Sequence, residues 1–233
     1  MKTKSLSLLP VILMLIACIQ PSVAQDMKKE TRRVDNFNRL SLAIAGDVHL
    51  KQGSTSLVIE AEEDILPLID TEVKDGLLTI KFNKRIVPRH DKITIHASMP
   101  EVRGLSVAGS GNILAEGSVE SDELKLSIAG SGDISLKKLS VADLKASIAG
   151  SGDIFLGGTG RQGNLKASIS GSGDMKIPLE FENATIAISG SGDCSVHVTG
   201  SLDTSIAGSG SVTYEGNPVV NARVSGSGSV KQK

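Results

Sequence analysis

Four aspartates, Asp133, Asp153, Asp174 and Asp193, occupy the same place in a recurring pattern of Gly, Ser, Gly and Asp. Asn112 holds that place before them, and Ser211 and Ser229 hold it after them. If the copies stack in register, the carboxylates form a row at the ~4.8 Å spacing of neighbouring strands. Adjacent charges at that spacing repel by ~1 kcal/mol in water and by ~3.5 kcal/mol at an effective dielectric of 20. Something must offset the repulsion. A bound Ca2+ is one answer, since hard cations prefer oxygen ligands. Two plainer answers are turn N–H groups donated to the carboxylates, as happens in tight turns, and side chains splayed into water. The plainer answers are preferred, so no metal or cofactor is expected, with Ca2+ on this row as the alternative. A polysaccharide-processing β-helix would use such carboxylates as acid and base, but that chemistry needs environments that split their pKa values. Equivalent positions in a repeat give nearly equivalent environments. With no Trp, one Tyr and four Phe, the chain also has few rings for a sugar platform. No catalytic residue is expected.

The remaining candidates are weaker. Cys194 sits where other copies of the repeat carry Ile or Met, which points to a buried thiol behaving as a small hydrophobe. His49, His96 and His197 each lie between apolar neighbours in alternating segments, which turns them outward. Gly158-Thr159-Gly160-Arg161-Gln162-Gly163 fits G-x-G-x-x-G, but a dinucleotide site needs a helix to open there. Leu165, Ala167 and Ile169 instead alternate as a strand. No H-E-x-x-H, C-x-x-C or G-x-S-x-G occurs, which leaves zinc and serine-nucleophile chemistry without support.

The elements that must position these residues follow from the repeat itself. The first glycines of the pattern are Gly109, Gly130, Gly150, Gly171, Gly190, Gly208 and Gly226, at intervals of 21, 20, 21, 19, 18 and 18 residues. Between them apolar residues alternate with polar ones: Leu124, Leu126 and Ile128, then Ile134 and Leu136, then Leu144, Ala146 and Ile148. Strands with one buried face have this period. A strand, a tight glycine turn, a second strand and a return, every 18 to 21 residues, describe one coil of a parallel β-helix. No coil can bury its apolar side alone, so coils stack and share a core. Leucine-rich repeats, hexapeptide helices and calcium-binding nonapeptide repeats all need stricter or different periods. The expected fold is therefore all-β, a right-handed parallel β-helix or β-solenoid. Glycine is required at its corners because only glycine takes positive φ without cost.

At the N-terminus, Lys2 and Lys4 precede an apolar run from Leu6 to Ile19 and a Ser22-Val23-Ala24 cleavage pattern. Residues 1–24 read as a signal peptide cut before Gln25. Leu15-Ile16-Ala17-Cys18 offers the alternative of a lipobox, with Cys18 lipidated and the chain tethered to a membrane. On either route the protein is exported, to the periplasm, outer membrane or surface of a Gram-negative bacterium. Removal of residues 1–24 leaves 23 basic against 26 acidic residues, too balanced for a nucleic-acid partner. Residues 25–33 read as a linker, and 34–233 as one domain. Within it, 34–100 is less regular and more charged, while 101–233 carries the regular repeats. The irregular part has a degenerate turn at Gly46, strands at Leu57–Glu60 and Leu77–Phe82, and a short helical turn within Glu62–Thr71 limited by Pro67. It is expected to supply the first coils and to cap the end of the stack. Lys231 and Lys233 would blunt the other end.

Arg33-Val34-Asp35-Asn36-Phe37-Asn38-Arg39-Leu40, Gly46-Asp47-Val48, Leu57-Val58-Ile59-Glu60-Ala61 and Glu72-Val73-Lys74-Asp75-Gly76-Leu77-Leu78-Thr79-Ile80 lie ahead of the Gly-Ser-Gly-Asp repeats. Taken together they resemble the family described as putative auto-transporter adhesin, head GIN domain, which is frequent among Bacteroidota. The resemblance implies an exported β-solenoid with an adhesive role and brings no catalytic residues with it. Nothing in the sequence reads as an outer-membrane translocator barrel. The expected protein is a non-enzymatic cell-envelope solenoid presenting a flat β surface to a protein or glycan partner.

Overall fold

A computed structural model describes residues 27–233 except Arg85, Val87, Thr159 and Gly160. The signal-peptide and lipobox readings, Cys18 included, fall outside the described residues. The described chain is almost entirely strand, and its strands form one continuous hydrogen-bonded system.

The described chain begins with β1 (Met27–Thr31), β2 (Arg39–Ala43), β3 (Gly46–Gln52), β4 (Ser56–Glu62), β5 (Ile69–Lys74), β6 (Leu77–Phe82) and β7 (Ile93–Met99). It continues through β8 (Gly104–Gly109), β9 (Asn112–Gly130), β10 (Ile134–Gly150), β11 (Ile154–Leu156), β12 (Arg161–Gly171) and β13 (Met175–Gly190). β14 (Cys194–Gly208), β15 (Ser211–Glu215), β16 (Val219–Gly226) and β17 (Ser229–Gln232) complete it. From β8 onward every pairing is parallel and joins a segment to its equivalent one coil away, as Ile113 to Ile134 and Ile134 to Ile154. The alternation read in the sequence is the burial pattern: Leu124, Leu126, Ile128, Ile134 and Leu136 are all buried. Row by row, the same positions build one core running the length of the stack. The expected β-solenoid is the fold observed.

Each corner needs its two glycines for different reasons. Gly150 has φ +140°, a region closed to residues with a side chain. Gly152 has no such φ, but a Cβ there would overlap the Gly132 carbonyl oxygen of the neighbouring coil. The turn amides explain this closeness: Ser151 and Gly152 both donate to the Gly130 carbonyl, at 2.9 and 3.2 Å. Positive φ, expected for the glycines generally, thus belongs to the first of each pair, and the second answers to backbone approach.

The irregular part stacks out of chain order. β2 lies between β6 and β8, and β3 lies between β7 and β9, all parallel. The coil made by β6 and β7 is therefore outside the coil made by β2 and β3, although it follows in sequence. Beyond it, direction reverses. β5 pairs antiparallel with β6, β4 antiparallel with β7, and β1 antiparallel with β4. A 3-10 turn at Leu66–Leu68, started by Pro67, buries Leu66 beside Ile65 and Ile69. This antiparallel layer covers the open strand edges that a stack otherwise presents. The stretch expected as a linker contains β1. Three of its five side chains are charged and none is buried, so no alternation marks it, and the backbone edge of β4 is what recruits it. Arg32 fastens the layer by donating to the carbonyls of Ile69 and Leu66, at 3.0 and 2.9 Å.

Candidate functional site

The aspartate row lies between the Gly-Ser-Gly corners and the strands that follow them, each aspartate directly ahead of the first strand residue. Each member reaches one coil along the stack. Asp133 Oδ1 accepts the backbone N–H of Asp153, Asp153 Oδ1 that of Asp174, and Asp174 Oδ1 that of Asp193, each at 2.8 Å. Asp193 Oδ1 accepts the Ser211 N–H at 2.7 Å, and Asn112 Oδ1 accepts the Asp133 N–H at 3.0 Å. The row is thus a chain of side-chain caps on successive turns, the plainer of the expected arrangements. One oxygen of each carboxylate is committed to backbone. The hydrogen-bonding role is the same in all four. Among the described residues, no group of three or more His, Cys, Asp and Glu side chains is arranged to hold a metal ion.

The row continues backward to Asp47, opposite Asn112 in the register. Here the environment differs. Asn112 Nδ2 donates to Asp47 Oδ1 at 2.8 Å, and Lys92 Nζ stands 2.5 Å from Oδ2. Burial by itself would raise the Asp47 carboxyl, but the hydrogen bonds from Lys92 and Asn112 and the charge of Lys92 outweigh it and hold it below its ordinary value.

Two residues further along each strand runs a second outward row. It reads Val58, His96, His49, Leu114, Ser135, Phe155 and Lys176 across β4, β7, β3, β9, β10, β11 and β13. His49 and His96, outward as expected, are stacked with ring centroids 5.3 Å apart and planes 23° from parallel. They come together because β7 lies directly on β3. Phe155 is 45 % exposed, whereas Phe37 and Phe181 are in the core and Phe82 packs against it. Reading along the chain missed this row. The outward phase of each member was visible, but the pairing that unites them joins segments distant in sequence.

Other sequence candidates are structural. Cys194 continues a core row between Met175 and Val212, and burial, followed by the charges of Asp174 and Asp193, pushes its thiol up to about 12. Arg161 to Gly171 is strand β12, so no helix opens at the glycine-rich segment, of which Thr159 and Gly160 lie outside the described residues. A surface cleft of about 540 Å3 is lined by Gln52, Glu101, Glu120, Ser140 and Gln162 among others. Its amides serve backbone. Gln52 Nε2 donates to the Pro100 and Glu120 carbonyls while Oε1 accepts the Glu120 N–H, and Gln162 Oε1 accepts the Val141 N–H.

Stacked coils that repeat their outward side chains in rows, with a capped first end, define a β-solenoid whose functional capacity lies in its surface. The chain belongs to the family described as "Putative auto-transporter adhesin, head GIN domain", which matches residues 36–218. Its fold is shared with a putative adhesin from Bacteroides fragilis NCTC 9343, at 23% identity and a TM-score of 0.81, over 90% of this chain and 98% of that one. A putative adhesin from Parabacteroides merdae ATCC 43184 is similar at 22% identity and a TM-score of 0.78, covering 90% and 97%. A putative lipid binding protein from Parabacteroides distasonis ATCC 8503 is similar at 23% identity and a TM-score of 0.75, covering 90% and 98%. No curated protein matches the chain in sequence. Among the described residues, no helix is long and apolar enough to cross a membrane.

Proposed function

We propose that this chain is an exported, non-enzymatic cell-envelope adhesin that holds the flat faces of its solenoid against a protein or glycan partner. The observation that carries this reading is the uniform aspartate row. Four carboxylates that each cap a turn in the same way strengthen the stack and offer no acid–base pair. A surface of in-register rows suits adhesion, because many weak contacts of one kind add along the stack. Family membership supports the adhesive role, and the sequence of residues 1–24 supports export.

The test is a pair of assays on the exported protein: adherence of cells that produce it, compared with cells that lack it, and product release from a panel of polysaccharides. Adherence without product is expected. Cleavage that disappears on Asp153→Asn with Asp174→Asn would overturn the reading in favour of a polysaccharide-processing enzyme. Mass spectrometry of the mature N-terminus distinguishes the two routes: Gln25 means a soluble exported protein, and lipidated Cys18 a membrane-tethered one.

A further inference from the structure

We infer that the row from His96 through His49 and Leu114 to Phe155 is a binding lane for a glycan chain whose sugars carry no acidic groups, the chain running along the solenoid axis. The inference rests on the adhesive reading above and names the ligand class for it.

The lane gathers rings that the sequence scatters. His96, His49, Leu114, Ser135 and Phe155 are consecutive in register on five adjacent strands. Four strand spacings separate the ends, roughly 19 Å. The imidazoles form a stacked pair, and Phe155 spends 45 % of its surface on solvent in a chain that buries two of its four phenylalanines. The exposed ring and the imidazole pair thus fall on one line along the stack. Ser135 leaves a notch between Leu114 and Phe155, and Gly157, two residues after Phe155, leaves that flank of the ring without a side chain. A flat apolar ring face beside polar acceptors matches a pyranose, which has a C–H face and a rim of hydroxyls.

The acceptors are in place. Asp133 and Asp153, both exposed, lie directly before β10 and β11, two positions ahead of Ser135 and Phe155, whereas Asp47 and Asn112, two positions ahead of His49 and Leu114, are engaged with Lys92, with each other and with the Asp133 N–H. For Asp133 and Asp153 one carboxylate oxygen holds a turn N–H, and an ionised carboxylate retains acceptor capacity on its other oxygen. Asp133 and Asp153 accept hydroxyl donors and repel anionic sugars along the Ser135–Phe155 part of the lane, which ends at Lys176, the next residue in register.

Affinity electrophoresis of the exported protein tests this, with gels containing laminarin, galactomannan or hydroxyethyl cellulose, and polygalacturonate as the acidic comparison. At least one neutral polysaccharide is expected to retard the wild type, and polygalacturonate is not. Phe155→Ala and the double change His49→Ala, His96→Ala should each weaken retardation at least tenfold, while Phe155→Tyr retains it. All substitutions are at exposed positions, and unchanged far-ultraviolet circular dichroism verifies folding. Failure of all three neutral polysaccharides, or retardation that survives Phe155→Ala, overturns the lane while leaving cell adherence untouched. Shortening of the polysaccharide in the gel would overturn the non-enzymatic reading while leaving the lane in place.

Discussion

Asp153 shows how a repeated side chain can look catalytic and act as scaffold. Its carboxylate caps the Asp174 N–H of the next coil. Asp153→Ala removes the acceptor and is expected to cost about 0.5–1.5 kcal/mol in urea unfolding, whereas Asp153→Asn keeps an acceptor oxygen and should cost little. EDTA is expected to leave the melting temperature unchanged, since each carboxylate has a backbone partner without a cation. Asp47 behaves differently. Its folded pKa lies below the unfolded value, so its contribution is present above the ordinary carboxylate range and is lost as pH falls through the folded pKa. Lys92→Met should therefore lower stability at neutral pH, by less than about 1 kcal/mol, and change nothing once the carboxyl is protonated in strong acid. Melting curves across pH measure that difference. Cys194, with its thiol pushed up to about 12 by burial, should resist thiol reagents until the protein unfolds.

The corner and the strand are the elements that the repeat multiplies. Gly152→Ala places a methyl group against the Gly132 carbonyl and should destabilise by roughly 2–4 kcal/mol. Gly117→Ala, at a glycine with nothing within 4 Å of the added atom, should be close to neutral. A shift in denaturation midpoint separates the two. Chain alternation identified the regular strands and the strands at Leu57–Glu60 and Leu77–Phe82, because burial on one face imposes period two on side chains. β1 was illegible for the complementary reason. It is held by backbone hydrogen bonds to β4, with no buried side chain to record them.

Across the molecule, coils touch chiefly their neighbours, so stability is a sum of coil and interface contributions along the shared core. Protection from hydrogen exchange should be highest in β9 to β13, which are paired on both sides, and lowest in β16 and β17. β16 is exposed along its whole length. Mass-spectrometric exchange of the intact protein reports this gradient, and a uniform profile would contradict it.

Sequence alone determined the coil period, the buried and outward phases, the Gly-Ser-Gly corners and the existence of the aspartate row, since each is local or repeats at a short interval. Tertiary structure decided the order of the first coils, with β6 and β7 stacked outside β2 and β3. It also decided that each aspartate caps the next coil, and that His49, His96, Leu114 and Phe155 share one row. The physical reason is the nature of strand pairing. Its hydrogen bonds join backbones, which are the same at every residue, so the side chains record which face is buried but not which distant strand lies alongside.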